Sequence, residues 1–121
     1  MNWTTWENVG IDRQACAWFI KKYVDGDAVF CFVPRDQLPQ DHEYSFDTPT
    51  SKWTHKRGHS TFYMFVKEHK PKEKILVKMA EIIDGADTAN DILPPLEAYG
   101  LEAIEKSGVV FDGLYEYLKG R

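Results

Sequence analysis

The chain has 121 residues, 43% of them hydrophobic and 14% aromatic, with a formal net charge of −4 at pH 7. That length suits one domain with a core of its own, and the aromatic content excludes an intrinsically disordered chain. An acidic balance without a basic stripe argues against nucleic-acid binding, no apolar stretch is long enough to span a bilayer, and the first residues lack the basic and apolar regions of a secretory signal.

The first strong pattern in the chain is Ile11-Asp12-Arg13-Gln14-Ala15-Cys16-Ala17-Trp18-Phe19-Ile20-Lys21-Lys22-Tyr23-Val24-Asp25. It predicts a helix over 12–24 that is apolar on nearly every side. Asp12 is the expected N-cap, and Asp25-Gly26-Asp27 the stop. A helix apolar all round must be buried. Burial would set Asp12 and Arg13 at the mouth of a core, where charges need partners. Residues 28–33 form a short apolar run rich in β-formers that ends at Pro34, which predicts a buried strand. Residues 35–43 are polar and hold Pro39, hence a loop. Tyr44-Ser45-Phe46-Asp47 alternates and predicts a second short strand, followed by a turn over 48–51.

Ser60 is placed to cap a helix that runs to His69 and stops at Pro71. Ile75, Leu76, Met79, Ile82 and Ile83 recur at helical spacing and predict an amphipathic helix ended at Gly85. Pro94 and Pro95 suit the first turn of a further helix to about residue 105, and a last helix is expected over 109–118. No repeat or linker divides the chain. The expectation is one α+β domain over 1–121, mostly helical, with a small two- or three-stranded sheet.

Cys16 and Cys31 lie in apolar runs and form no Cys-x-x-Cys motif. Two buried, reduced thiols are expected, and a cytoplasmic location fits them. Trp3, Trp6, Trp18 and Trp53 read as core residues. His42 and His69 read as surface residues, and the Lys/Glu-rich run 67–78 as a solvated helix face. Phosphate-cradling loops, nucleophile elbows and His-Glu-x-x-His motifs have no counterpart here.

The run from Ile11 to Asp25 resembles the opening of the C-terminal domain of the chromate-resistance regulator ChrB, an Ile/Val-Asp-Arg-x-Ala-Cys-x-Trp-Leu-Ile-x-x-Phe-Ile-Asp pattern. Phe46-Asp47, Thr54-His55, Thr61-Phe62, the run 82–88 (Ile-Ile-Asp-Gly-Ala-Asp-Thr), Ala98-Tyr99-Gly100-Leu101 and Asp112-Gly113-Leu114-Tyr115 follow in family order. The first pattern and the Gly-Ala-Asp-Thr motif are the specific ones. The resemblance implies a role in chromate response. Family members are longer, with an N-terminal domain linked to regulation, so this chain is read as a stand-alone short form or the isolated domain, and DNA binding is not carried over to it. Where the family often has Cys, Ser/Thr, Phe and Asp/Glu, this chain has Ser60, Thr61, Phe62 and Tyr63.

Five polar positions survive inside the shared apolar framework: Asp12, Arg13, Asp47, His55 and Asp87. Asp47, His55 and Asp87 offer oxygen and nitrogen donors for a first-row divalent ion. Asp12 and Arg13 are the expected cofactor- or anion-binding pair, because a guanidinium fork grips a carboxylate or a tetrahedral oxyanion with two bonds. Each has a plainer role beside it: Asp12 a helix cap, Arg13 a structural ion pair, His55 a solvated loop residue, Asp87 a turn residue. Asp87 continues the Leu76, Ala80, Ile83 stripe only if its helix passes Gly85. The leading expectation is a small domain that binds a divalent metal or an oxyanion in a chromate or metal-stress response. The alternatives are a metal-dependent enzyme and a helical interaction module without a site. The expected partners are a metal ion or a small oxyanion, without nucleic acid or membrane, and a homodimer is compatible with the sequence.

Overall fold

The computed structural model of the chain describes residues 1–7, 10–40, 44–56, 58–92 and 100–120. Asn2–Trp6 forms strand β1. The sequence reading had no strand there, although Trp3-Thr4-Thr5-Trp6 consists of aromatic and β-branched residues. Trp3 and Thr5 point into the core and are buried, while Asn2 is exposed. Strand β2, Val29–Val33, matches the expected apolar run and pairs with β1 in parallel, Trp3 opposite Phe30 and Thr5 opposite Phe32. Parallel neighbours need a crossover, and helix α1, Ile11–Phe19, supplies it. Its buried residues include Ala15, Cys16, Ala17, Trp18 and Phe19, as an all-apolar helix requires. The helix widens into a π-helical turn over Ile20–Val24 and stops at Asp25. The Asp25 carboxylate accepts from Trp3 Nε1–H at 3.0 Å and pairs with the N-terminal ammonium at 3.0 Å, which ties the end of the crossover to the start of β1.

The expected second strand at 44–47 is a shorter feature. Thr4 N–H donates to the Tyr44 carbonyl (2.8 Å), Phe46 N–H donates to Thr4 (3.1 Å), and Thr4 bridges Ser45 in parallel. This segment therefore flanks β1 on the side away from β2 without extending into a strand. Thr5 Oγ1–H, donating to the Phe46 carbonyl at 2.7 Å, buries its own hydroxyl satisfied.

Helix α2, Thr61–His69, starts where expected, with Ser60 Oγ accepting from Tyr63 N–H at 3.1 Å. Helix α3, Lys74–Ile92, does not end at Gly85 but passes through it. Helix α4, Gly100–Lys119, is likewise continuous through Gly108, where the sequence predicted a break. A glycine inside a helix costs only about 1 kcal/mol. Burial of a single large side chain outweighs that, and Leu76, Met79, Ala80 and Ile83 on α3 and Phe111 on α4 are all buried. The predicted start at Pro94 and Pro95 lies outside the described residues, as does His42. The domain is thus a small α+β fold in which α1, α2, α3 and α4 pack around an aromatic core holding Trp3, Phe19, Phe46, Phe62 and Phe65. No helix among the described residues is long and apolar enough to cross a membrane.

The side chains sort largely as expected. Trp3 and Trp18 are core, and Trp53 stacks on Phe65 at 5.1 Å between ring centroids. His69 is not a surface residue but partly buried: its ring packs on Phe65 and Phe19, and its Nδ1 lies 3.1 Å from the Phe65 carbonyl. Both cysteines are free, but they differ in access: Cys16 is fully buried and Cys31 only partly so. A thiol reagent should therefore label native protein once, at Cys31, and reach Cys16 only after unfolding. Two equally fast native thiols, read by mass spectrometry, would contradict this packing.

Candidate metal centre

Asp12 sits in the first turn of α1 yet does not cap it. The N-cap of α1 is Gly10, which makes no side-chain bond. The Asp12 carboxylate instead reaches across to α2 and accepts from Thr61 N–H (2.9 Å) and Phe62 N–H (2.8 Å). The first N–H groups of a helix have no partner within it. Ser60 satisfies the donor of Tyr63 and Asp12 satisfies two more, so two residues from different parts of the chain cap one helix. Asp12 is 2% exposed, and Cys16 Sγ–H donates to it at 3.6 Å.

Asp47 ends the segment beside β1 with φ +56°, left-handed backbone that Asp tolerates better than most residues. The geometry turns its carboxylate inward. Thr61 Oγ1–H donates to it at 2.7 Å, and Arg13 Nε lies 3.0 Å from it. Arg13 Nη2–H also donates to the Asp47 carbonyl at 3.0 Å. Arg13 thus grips the side chain and the main chain of one residue, the ion-pair arrangement foreseen as its plainer role. Its guanidinium also lies 5.6 Å from the centre of the Trp6 ring, which Arg35 approaches to 5.7 Å.

Because α3 passes Gly85, Asp87 continues the buried stripe of Leu76, Ala80 and Ile83. There it meets His55. His55 Nε2 lies 2.7 Å from Asp87 Oδ2 and 3.2 Å from Asp12 Oδ2, while Nδ1 lies 3.2 Å from Asp47 Oδ1. The structure therefore brings all five singled-out residues together, from α1, the loop before α2, and α3. Their parts differ from those expected. Asp12, taken as half of an anion-binding pair, faces the same imidazole nitrogen as Asp87. Asp47, taken as a metal donor, faces the opposite nitrogen and is also held by Arg13 and Thr61.

Asp12, His55 and Asp87 can each offer one donor atom within 4.8 Å of the others. Donors about 2.1 Å from an ion stand about 3 Å apart when adjacent. The 2.7 and 3.2 Å spacings around Nε2 are close to that. The charge balance agrees. The carboxylates of Asp12, Asp47 and Asp87 face Arg13 and one imidazolium, which leaves a charge of −1; a dication in place of the imidazole proton brings the group to neutrality. Hydrogen bonds to Asp47 and Asp87 push the His55 pKa up to about 11, against the desolvation of a half-buried ring. Burial pushes Asp12 above its ordinary value, the Asp47 charge adds to this, and the two N–H bonds from α2 oppose it. Burial also raises the Cys16 thiol, so Cys16 stays a neutral donor behind Asp12.

A second histidine–aspartate pair lies beside this group and was not read from the sequence. His59 Nδ1 stands 2.8 Å from Asp84 Oδ2, and Asp84 Oδ1 accepts from Ser60 N–H (2.9 Å) and Ser60 Oγ–H (2.6 Å). The sequence did carry one signal for it: Asp84 and Asp87 share a helix face at i, i+3.

In comparison with known proteins, the family described as ChrB, C-terminal domain, matches residues 3–112. Protein ChrB of Cupriavidus metallidurans (strain ATCC 43123 / DSM 2839 / NBRC 102507 / CH34) is 25% identical over a 131-residue alignment. That alignment takes in 95% of this chain and 40% of the relative, so the chain spans well under half of that protein's length. No solved structure matches.

Proposed function

This chain belongs to the ChrB C-terminal domain family, and from that premise we propose that it is a metal-binding domain working in the chromate-resistance response. The observation that carries the proposal is the convergence of Asp12 and Asp87 on His55 Nε2. Two carboxylates and one imidazole suit a divalent first-row ion such as Mn²⁺, Fe²⁺ or Zn²⁺. Asp47 on Nδ1 fixes the ring so that Nε2 points at the ion, a partner that tunes affinity by 10- to 100-fold in metal sites of this kind. Arg13 holds Asp47 in that position. The His55 side chain is 51% exposed. The outward side of the ion is therefore open to water or to an exchangeable anion, and an oxyanion is the ligand class suited to a bound cation with a guanidinium nearby.

The test is divalent-ion binding to chelator-treated, dialysed protein. Titration calorimetry with Mn²⁺ and Zn²⁺ should show uptake that His55→Gln abolishes. Ion at about a hundred times its dissociation constant adds about 2.7 kcal/mol of stability, which is about a 10 °C rise in melting temperature for a domain of this size. Absence of uptake at millimolar ion, with unshifted melts, would leave the interaction-module reading in its place.

A further inference from the structure

We propose that the outer edge of β2 is a self-association surface, on which a second copy of this chain adds its own β2 in antiparallel pairing. β2 ends the sheet. β1 lies along one of its edges, the segment at Ser45 lies beyond β1, and among the described residues nothing pairs with the other edge. Val29 N–H donates to the Met1 carbonyl at 2.9 Å and Glu7 N–H donates to the Val33 carbonyl at 3.0 Å, so Val29 and Val33 turn their main-chain groups to β1. The alternation of a strand does the same for Cys31 and turns the main-chain groups of Phe30 and Phe32 outward. Such an edge is a template for another strand, and proteins ordinarily blunt it with charged side chains, Pro or a bulge. β2 has none of these. Val29-Phe30-Cys31-Phe32-Val33 is apolar throughout, pairs with β1 in unbroken register, and leaves Val29 55% exposed.

The order of residues decides the occupant. Val-Phe-Cys-Phe-Val reads the same in both directions. Two copies related by a two-fold axis at Cys31 therefore meet like against like, with Val29 opposite the second copy's Val33, Phe30 opposite its Phe32 and Cys31 opposite its Cys31. Each Phe30–Phe32 pair exchanges both of its main-chain bonds, which satisfies the outward groups of both strands. The same register continues past the strand ends, where the exposed Asp27 comes level with the second copy's exposed Arg35, and Arg35 with its Asp27. Opposite charges thus close an apolar seam at both ends and fix its register. An unrelated strand would share neither the symmetry nor this charge pairing.

Cys31 supplies the probe. At the axis the opposed residues form a non-hydrogen-bonded pair with Cα atoms about 4.5 Å apart, within the span of about 4.4–6.8 Å that a disulfide bridges. Cys16 is buried and cannot substitute for it. Sedimentation of reduced protein in EDTA at sub-millimolar concentration should give twice the 14.0 kDa mass of the chain. Diamide should link two copies in wild type and not in Cys31→Ser. Cys31→Lys sets two ammonium groups against each other at the axis and should raise the dimer dissociation constant at least about tenfold. Should that variant fold poorly, the charge pair decides: Arg35→Glu should weaken the dimer, and Asp27→Arg combined with Arg35→Glu should restore it, a rescue that a folding defect would not give. A monomer at every concentration, or a dimer that the folded variants leave intact, overturns the proposal.

Discussion

Asp12→Ala should cost about 3–5 kcal/mol of stability in metal-free protein, the loss typical of removing one side of a buried charged contact. The carboxylate is 2% exposed and accepts from the first two N–H groups of α2. Alanine leaves both donors buried without acceptors, at about 1–3 kcal/mol each. The Cys16 thiol also loses its acceptor. Asp12→Asn is the informative partner variant. It keeps one oxygen for one N–H but turns an amide donor toward the other, so it should fall between wild type and alanine. Urea denaturation with an unchanged slope is the measurement. A loss within about 0.5 kcal/mol, the range of surface substitutions, would mean that Asp12 does not cap α2 in solution.

Metal affinity should rise at least about tenfold per pH unit across the neutral range, with about one proton released per ion bound from His55 and a further fraction from Asp12 towards the acid side. His55 must lose its proton to become a ligand, and hydrogen bonds to Asp47 and Asp87 hold its folded pKa near 11, well above the ordinary 6.5. The metal-free protein shows the other side of this linkage. A histidine whose folded pKa is raised contributes stability that is complete below its unfolded value and is lost as pH climbs through the folded one. For His55 the loss runs from about 6.5 towards 11. Asp12 is also raised, so its contribution is fullest below 3.8 and declines above it. Both groups make chelated protein less stable as pH rises, while a bound ion removes both titrations. Melting curves with EDTA and with Mn²⁺ should therefore diverge from pH 6 to pH 9. Parallel curves would show that no proton is exchanged for the ion.

The helices and the members of the site were more legible in the sequence than the bonds that join them. Asp12, Arg13 and Asp87 stood out because each is charged beside an apolar pattern, and burying such groups requires partners. Which partners was not legible. Asp12 finds Thr61 and Phe62 at separations of 49 and 50 residues, and Arg13 finds Asp47 at 34. Local reading offered Asp12 only its own helix to cap. The glycine errors have one cause: local propensity ends α3 at Gly85 and splits α4 near Gly108, but the cost of a glycine is small beside burial of the residues on either side. Strand β1 was missed because Thr4 and Thr5 read as polar, whereas Thr5 is buried through its bond to the Phe46 carbonyl. His59, four residues after His55 but across Gly58, carries no helical pairing signal in the sequence. The structure joins it to α3 through Asp84.

The parallel course of β1, β2 and the segment at Ser45 and Phe46 has a further consequence. All three run in one direction and so finish at the same rim, and open parallel sheets gather ligands at the rim where their strands finish. Asp12 and Arg13 follow from the end of β1, and Asp47 stands directly after Phe46. The loop leaving β2 arrives there too: Trp6 Nε1–H donates to the Gln37 carbonyl at 2.6 Å, and Arg35 lies against the same indole. The sheet gives the centre its address, and the loops leaving it decide what can call there. On the proposed metal-binding reading, the residues around Arg35 and Gln37 would then set which anion reaches the donors.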